Sequence, residues 1–504
     1  MTTGMGPGPW QSTPGWHRLD PRMLLVQPAL ELGRYFPVLV GLIIAGSASG
    51  FGSWVAFGIA LPVVLGVARY LTTEYRITDA RIEIRSGLLQ RRTTTAPLDR
   101  VRSVDLTATL AHRVLGLSTV VVGTGGAGQD DHLALDGLPT DQAAALRTAL
   151  LHRREAAMPS MPAAPAGAAD AAPSSPAPPP ITPAPRVVAR FEPAWLAYAP
   201  FTGTGLIAAG AVVGVGIQSA DALDLHPHWE RIDVPGFSVA LVAGIGVAIV
   251  LLALVLTLVG YVVTNFGFTL ARDSRAWHIR RGLVTTRETS VDVERVAGVT
   301  IGEPAAMRLA RGGRLSAIVT GLRHSGESSA VLVPPAPWPT VRRVAAAVLG
   351  TPEPVDAPLQ PHGPAAVRRR YSRALMGGAL LIAAPVVLVA AGGPWWPLTL
   401  APVLVAALLL LARDRAAGLG HAWVDGHVVM RSGSLARRRT ALAGEHVIGW
   451  NLRASWFQRR AGLVTVAATT AGGSGATEVY DVPAADAERL AEQATPGLLA
   501  QFSA

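Results

Sequence analysis

A chain of 504 residues, half of them hydrophobic, is too long for one core and too apolar for an ordinary soluble protein, which puts a membrane class first. It has no cysteine, which excludes disulfides, thiolate nucleophiles, zinc-thiolate sites and iron–sulfur ligation. All 44 Lys+Arg residues are arginine, and a net charge of +10 fits the bias of arginine toward cytoplasmic flanks better than it fits nucleic acid.

Residues 1–34 read as a cytosolic lead without a signal-peptide pattern. Two apolar runs over 35–71 then form a transmembrane hairpin, each run near the roughly 20 residues that span a bilayer. A β-rich segment at 72–154 follows, then an Ala/Pro-rich linker at 155–187 that cannot bury enough apolar area to order itself. The pattern recurs. A second hairpin occupies 188–263, with runs at about 196–217 and 237–263, and a second β-rich segment 264–350. After a linker at 351–366 come a third hairpin at 367–412 and a divergent third β-rich segment at 413–504. Arg34, Arg69, Arg190, Arg272, Arg368 and Arg413 flank one set of span ends, and the acidic loop from Asp221 to Asp233 joins the other. The positive-inside rule then places both termini and all three β-rich segments in the cytoplasm of a multi-pass protein.

The three β-rich segments align without gaps around Gly87, Gly282 and Gly433. Two residues earlier stand Arg85, Arg280 and Arg431; five later, Arg92, Arg287 and Arg438; seven later, Thr94, Thr289 and Thr440. Each segment opens with period-two alternation, such as Ile82 and Ile84 between charged neighbours, which is half-buried strand chemistry. The glycine serves as a hairpin turn, later strands fall at 118–122, 316–319 and 464–467, and an amphipathic helix closes each copy at 141–153, 340–349 and 484–493. Many short strands closed by one helix imply a small antiparallel barrel or sandwich. The stretches Arg18-Leu19-Asp20-Pro21 and Arg190-Phe191-Glu192-Pro193 stand before the first and second hairpins, so each repeat unit begins ahead of its membrane segment.

Tyr75-Arg76-Ile77-Thr78, Ile84-Arg85-Ser86-Gly87-Leu88, Pro97-Leu98-Asp99-Arg100-Val101 and Leu115-Gly116-Leu117 carry a resemblance to the bacterial pleckstrin-homology-type, YdbT-like membrane proteins. With the hairpins included, the resemblance covers most of the chain. It implies three PH-like antiparallel barrels, each of about seven strands with a C-terminal helix, each following a two-helix transmembrane hairpin. It further implies a bacterial cytoplasmic (inner) membrane, and it carries no catalytic residues.

The glycine-rich stretch from Gly123 to Gly128 fits a dinucleotide fingerprint formally, but a strand-like segment follows it where a helix is required. Asp221, Asp224, His226, His228 and Glu230 crowd one loop without a helical His pair, so no metal is expected. No paired acid and base and no Ser, His and Asp set stands out, so the chain reads as non-enzymatic and without a cofactor. The spans hold no deep charge, which disfavours the alternative of a transporter or channel component. The expected role is membrane-surface binding or scaffolding. Its candidate contacts to anionic headgroups or a partner are Arg85, Arg91, Arg92, Arg280, Arg287, Arg431, Arg437, Arg438 and Arg439, weighed against a merely solvated strand face. Expected partners are the bilayer and a membrane protein or a second copy, with no nucleic acid.

Overall fold

The computed structural model describes residues 15–28, 30, 60, 63–64, 66–78, 81–87, 91–97, 103–123, 132–147, 185–202, 210, 214, 239–320 and 331–498. Most of the first hairpin, most of the 155–187 linker, the acidic loop from Asp221 to Asp233 and the glycine-rich turn after Gly123 lie outside them. The chain divides into two compact units, 1–191 with 203–291 and 192–202 with 292–504.

In the first unit, β1 (His17–Arg18), β2 (Glu74–Ile77), β3 (Arg81–Ser86) and β4 (Arg92–Pro97) form one antiparallel sheet in that order. β5 (Ser103–Thr109), the short helix α1 (Leu110–Val114), β6 (Leu117–Gly123) and β7 (His132–Pro139) follow, then a helix α2 at 140–147. Ile82, Val104, Val120, Val122, Leu135 and Leu146 pack as one core, the inward set of the alternating pattern. β8 (Arg186–Arg190), the helix α3 (Val239–Asn265), β9 (Thr269–Arg272), β10 (Ala276–Arg281) and β11 (Thr285–Asp292) complete the unit.

The second unit begins with a 3-10 segment, Pro193–Thr202. It continues through β12 (Val296–Pro304), α4 (Ala305–Leu309), β13 (Gly312–Val319), β14 (Val331–Pro337), α5 (Trp338–Leu349) and α6 (Glu353–Asp356). Two long helices, α7 (Gly363–Ala390) and α8 (Leu400–Ala417), lead into β15 (Gly420–Val424), β16 (His427–Ser432) and β17 (Ala436–Ala443). β18 (Gly449–Arg453), α9 (Trp456–Arg460), β19 (Leu463–Thr469), β20 (Ala476–Pro483) and α10 (Ala484–Ala494) end it.

The repeat glycines turn the chain as expected. Gly87, Gly282 and Gly433 have φ of 123°, 111° and 97°, a region that L side chains rarely adopt. A Cβ at Gly282 would stand 2.0 Å from the Thr285 carbonyl oxygen, and one at Gly433 2.3 Å from that of Ala436.

Strand pairing departs from three self-contained barrels. On one side β5 pairs with β6 of its own repeat, but on the other it pairs with β11 of the next, giving a seven-stranded sheet in the order β7-β6-β5-β11-β10-β9-β8. β12 likewise pairs with β17, giving β14-β13-β12-β17-β16-β15, while β18-β19-β20 stand as a three-stranded sheet. Alternation dictates which face of a strand is buried but not which edge it joins, so this sharing left no mark in the hydrophobic pattern.

The opening strands pair across long intervening segments. β1 pairs with β2 and β8 with β9, although residues 19–73 and 191–268 intervene. In the third copy Gln360 forms an isolated bridge to His421 of β15. In the first two copies the intervening residues are therefore inserted between two neighbouring strands of one sheet.

Among the described residues, three helical stretches are long and apolar enough to cross a membrane: Gly246–Asn265, Gly363–Ala390 and Trp396–Ala417. α7 and α8 pack along one another, and Gly378 makes room for Leu408, whose Cδ1 lies 2.2 Å from where a Cβ would be. The span expected from about residue 196 begins differently. Trp195 and Ala199 are fully buried in the 3-10 segment, and the Tyr198 ring occupies the space beside Gly312.

Candidate functional site

The nine candidate arginines separate into a half-buried set on β16 and β17 and a set nearer the surface. On β17, Arg437 and Arg439 share one face and Arg438 the other, as strand alternation requires. Arg437 donates to Asp414 Oδ1 at 2.8 Å and to the Asp414 carbonyl at 3.3 Å. Arg308 donates to both carboxylate oxygens of the same residue at 3.1 Å, and the Ser434 hydroxyl donates at 2.7 Å. Arg439 donates to the carbonyls of Pro354 and Ala357, and Arg431 to those of Ala417 and Gly418 at the end of α8, where a cation complements the helix dipole. Burial pushes Arg437 and Arg439 below their ordinary pKa, and neighbouring arginines add to this. Burial also pushes the Glu303 carboxyl up, while Arg437, Arg308, Arg431 and Arg439 pull it back. These side chains mount α8 and the α6 segment on the sheet, so Arg431, Arg437 and Arg439 are committed within the fold.

The remaining arginines lie nearer the surface. Arg85 stacks over the Trp16 ring at 4.3 Å, and Arg280 is 65% exposed but lies 3.2 Å from Glu288. Arg91, Arg92, Arg287 and Arg438 are exposed. The outward basic set is thus smaller than the sequence pattern implies.

Two polar clusters escaped the sequence reading. In the third copy Asp481 is fully buried with φ of 59°. Arg369 Nε lies 2.9 Å from its Oδ1, Arg370 Nη2 lies 2.8 Å from its Oδ2 as a contact of charge, and Gln458 Nε2 donates to Oδ1 at 2.9 Å. Gln458 is itself held in a capping box with Ser455 at the start of α9. The first turns of α7 are therefore pinned to the β20 end of the sheet. Only the Arg368-Arg369-Arg370 run hinted at this, and Asp481 lies 112 positions beyond Arg369.

The second cluster is a Ser, His and Asp string. His278 Nδ1 lies 2.9 Å from Ser290 Oγ, and His278 Nε2 lies 2.6 Å from Asp273 Oδ2. Arg147 of α2 reaches the same Ser290 oxygen, lies 3.1 Å from His278 Nδ1, and lies 3.4 Å from Glu288. Arginine only donates, so Nδ1 accepts and Nε2 carries the proton to Asp273. Burial raises the Asp273 carboxyl, but the His278 bond and the backbone N–H groups of Arg275 and Ala276 outweigh it and hold it below the ordinary carboxylate range. The guanidinium occupies the serine oxygen that a nucleophile would need, and the cluster ties α2 of the first copy to β10 and β11 of the second. Asp273 comes from the turn before β10, His278 from β10 and Ser290 from β11, at spacings that match no motif, which is why the sequence did not disclose them.

No group of three or more His, Cys, Asp or Glu side chains suited to a metal occurs among the described residues. No curated protein and no solved structure matches the chain. The bacterial PH domain family matches three times, over residues 29–154, 232–350 and 378–496. These copies take in most of the sequence and enclose the turn glycines Gly87, Gly282 and Gly433, so the chain belongs to the bacterial PH domain family, with three PH-like domains in tandem.

Proposed function

We propose that this protein is a multi-pass component of the bacterial cytoplasmic membrane whose three cytoplasmic PH-like domains bind and scaffold at the membrane surface. One observation carries the reading: α7 and α8 are rigidly mounted on the third domain rather than tethered to it. Asp481 grips Arg369 and Arg370 at the start of α7, while Arg308 and Arg437 grip Asp414 and Arg431 caps the end of α8. A rigid mount fixes the orientation of a domain at the leaflet, which a binding platform needs. The charges of these helices stand at their ends, Arg368 to Arg373 in α7 and Arg413 to Arg415 in α8, which favours anchoring over an ion pathway.

The outward arginines Arg91, Arg92, Arg287 and Arg438 supply the surface for anionic headgroups or an acidic partner, at about 1 kcal/mol per arginine near the surface. Hydrogen exchange of the full chain in nanodiscs tests this. Anionic lipid should protect β4 and β17 relative to wholly zwitterionic lipid, and added salt should remove the difference. Equal exchange in both lipids would leave these arginines as a solvated face. Reporter fusions near Asp224 and after Arg153, Leu349 and Ala504 test the topology, the first working only outside and the others only inside.

A further inference from the structure

Each repeat carries one short helix between two strands, and the three share a layout. The third residue is buried (His112 in α1, Met307 in α4, Gln458 in α9), and an arginine follows it at once (Arg113, Arg308, Arg459). What these helices turn outward is apolar. Leu110 and Val114 in α1, Leu309 in α4, and Trp456 and Phe457 in α9 are all exposed, Val114 and Leu309 to 83% and 88%. Scattered singly such side chains would mean nothing, but here they recur on one element in all three copies.

Each of these helices is fastened where a long apolar helix enters its domain. Arg113 donates to the Leu283 carbonyl, and the Leu283 N–H donates at 2.9 Å to the Val263 carbonyl in the last turn of α3. Arg308 grips Asp414 in the last turn of α8, two residues after Ala412, where the uncharged stretch of that helix ends. Ser455, the N-cap of α9, accepts from Arg369 of α7 at 3.4 Å, five residues before Ala374, from which α7 carries no charge. At about 1.5 Å of rise per residue, these fastenings lie within about 8 Å of the uncharged stretches. That is the depth of the headgroup zone, roughly 5–8 Å on each side of the hydrocarbon core.

We propose that α1, α4 and α9 are interfacial feet: Val114, Leu309, Trp456 and Phe457 enter the headgroup zone of the leaflet that α3, α7 and α8 cross, and seat the domains on it. The occupant of these apolar surfaces is the bilayer itself, because the leaflet is the one surface that every span foot meets. Charge agrees with this. Arg459 and Arg460 of α9, and Arg413 and Arg415 on either side of Asp414, are exposed where lipid phosphates would lie. The Arg460 guanidinium rests 4.9 Å over the Trp456 ring, so the charge stays at the surface while the ring is buried in it. An aromatic pair flanked by arginine is a composition that holds a surface at the membrane interface. This deepens the scaffolding reading and rests on its placement of α3, α7 and α8 in the bilayer.

The full-length chain in nanodiscs tests this without a label on the protein. The nanodiscs contain a phospholipid with a photoreactive diazirine at the glycerol end of one acyl chain, and adducts are mapped by mass spectrometry. Adducts on α1, α4 and α9 should exceed those on the charged helix α10 by about tenfold, as should those on α3, α7 and α8. Trp456→Ser with Phe457→Ser keeps the Ser455 and Gln458 cap and should lower adducts on the flanking residues 452–455 and 459–461 about fivefold. Leu309→Ser should do the same around α4 while α9 keeps its adducts, so a defect in one helix does not decide the outcome. Background yield on α1, α4 and α9 with α3, α7 and α8 labelled overturns the proposal and leaves the membrane reading standing, and unchanged yields in both variants overturn it as well. If α3, α7 and α8 are themselves at background, both readings fall.

Discussion

The two junctions where one repeat meets the next, β5 with β11 and β12 with β17, differ in what holds them. β5 and β11 meet over four residue pairs, Thr285↔Thr109 to Glu288↔Leu106, and the short ladder is reinforced from outside. Arg147 clamps α2 to Ser290 and His278, and Arg113 donates to the Leu283 carbonyl at 2.9 Å. β12 and β17 meet over seven pairs, with Gly298 pressed against the partner backbone and the Thr300 and Thr440 hydroxyls 3.2 Å apart. One junction depends on side chains brought in from a helix. The other depends on the backbone ladder itself.

The sharpest way to break that contrast is Gly298→Val. A Cβ there would stand 2.1 Å from the Ala441 carbonyl oxygen, so β12 and β17 must separate, at a cost of more than about 3 kcal/mol. Thermal unfolding should show the loss, and hydrogen exchange should rise in β12 and β17 while β5 and β11 keep their protection.

Acid should separate the two regions next. His362 is buried beside His421, with Nδ1 donating to the Tyr480 carbonyl, and burial depresses its pKa from 6.5 to about 4. Burial depresses His421 as well. A base depressed by folding binds its proton in the unfolded chain first. Its contribution is therefore complete above pH 6.5 and is lost as pH falls toward 4, by about 3 kcal/mol for His362. Asp273 behaves in the opposite sense: its folded pKa is lowered, so the first junction keeps its clamp until pH drops through the carboxylate range. Denaturant midpoints at pH 7 and 5 should fall for the third domain and remain for the first junction. His362→Gln should abolish much of the difference.

Arg147→Ala should cost about 2 kcal/mol, because it leaves Ser290 and His278 in a half-satisfied cluster, and exchange should rise in β5 and β11 alone. Thr440→Val has the smallest effect, about 1 kcal/mol, since the seven-pair ladder persists without the hydroxyl bond to Thr300. If Arg147→Ala proved harmless and Thr440→Val severe, the assignment of strength to the two junctions would be reversed.

Much of this architecture was legible in the residues. The turn glycines, the alternating strands that lead into them, and the closing helices at Trp338–Leu349 and Ala484–Ala494 all stand where the pattern put them. The strands β1 and β8, which hold Arg18 and Arg190 of the two similar stretches, pair with the strands that follow residues 19–73 and 191–268. What the residues concealed was partner choice. Arg437 and Arg438 look alike in sequence, yet one grips Asp414 and the other is exposed, because what covers a strand face is decided by helices remote in the chain. The fold of β5 onto β11 was hidden for the same reason, since a ladder bond can be made with any strand whose backbone comes within reach.

The insertion of residues 191–268 between two neighbouring strands also sets an order of events during synthesis. Arg190 of β8 pairs with Thr269 of β9, so its partner is made only after residues 191–268 have passed through the ribosome. At roughly 5–20 residues per second that interval is roughly 4–16 s. The first strand of the second domain must wait, unpaired, while α3 is produced and placed. Closure of that sheet edge is therefore a record that the intervening segment has already been installed.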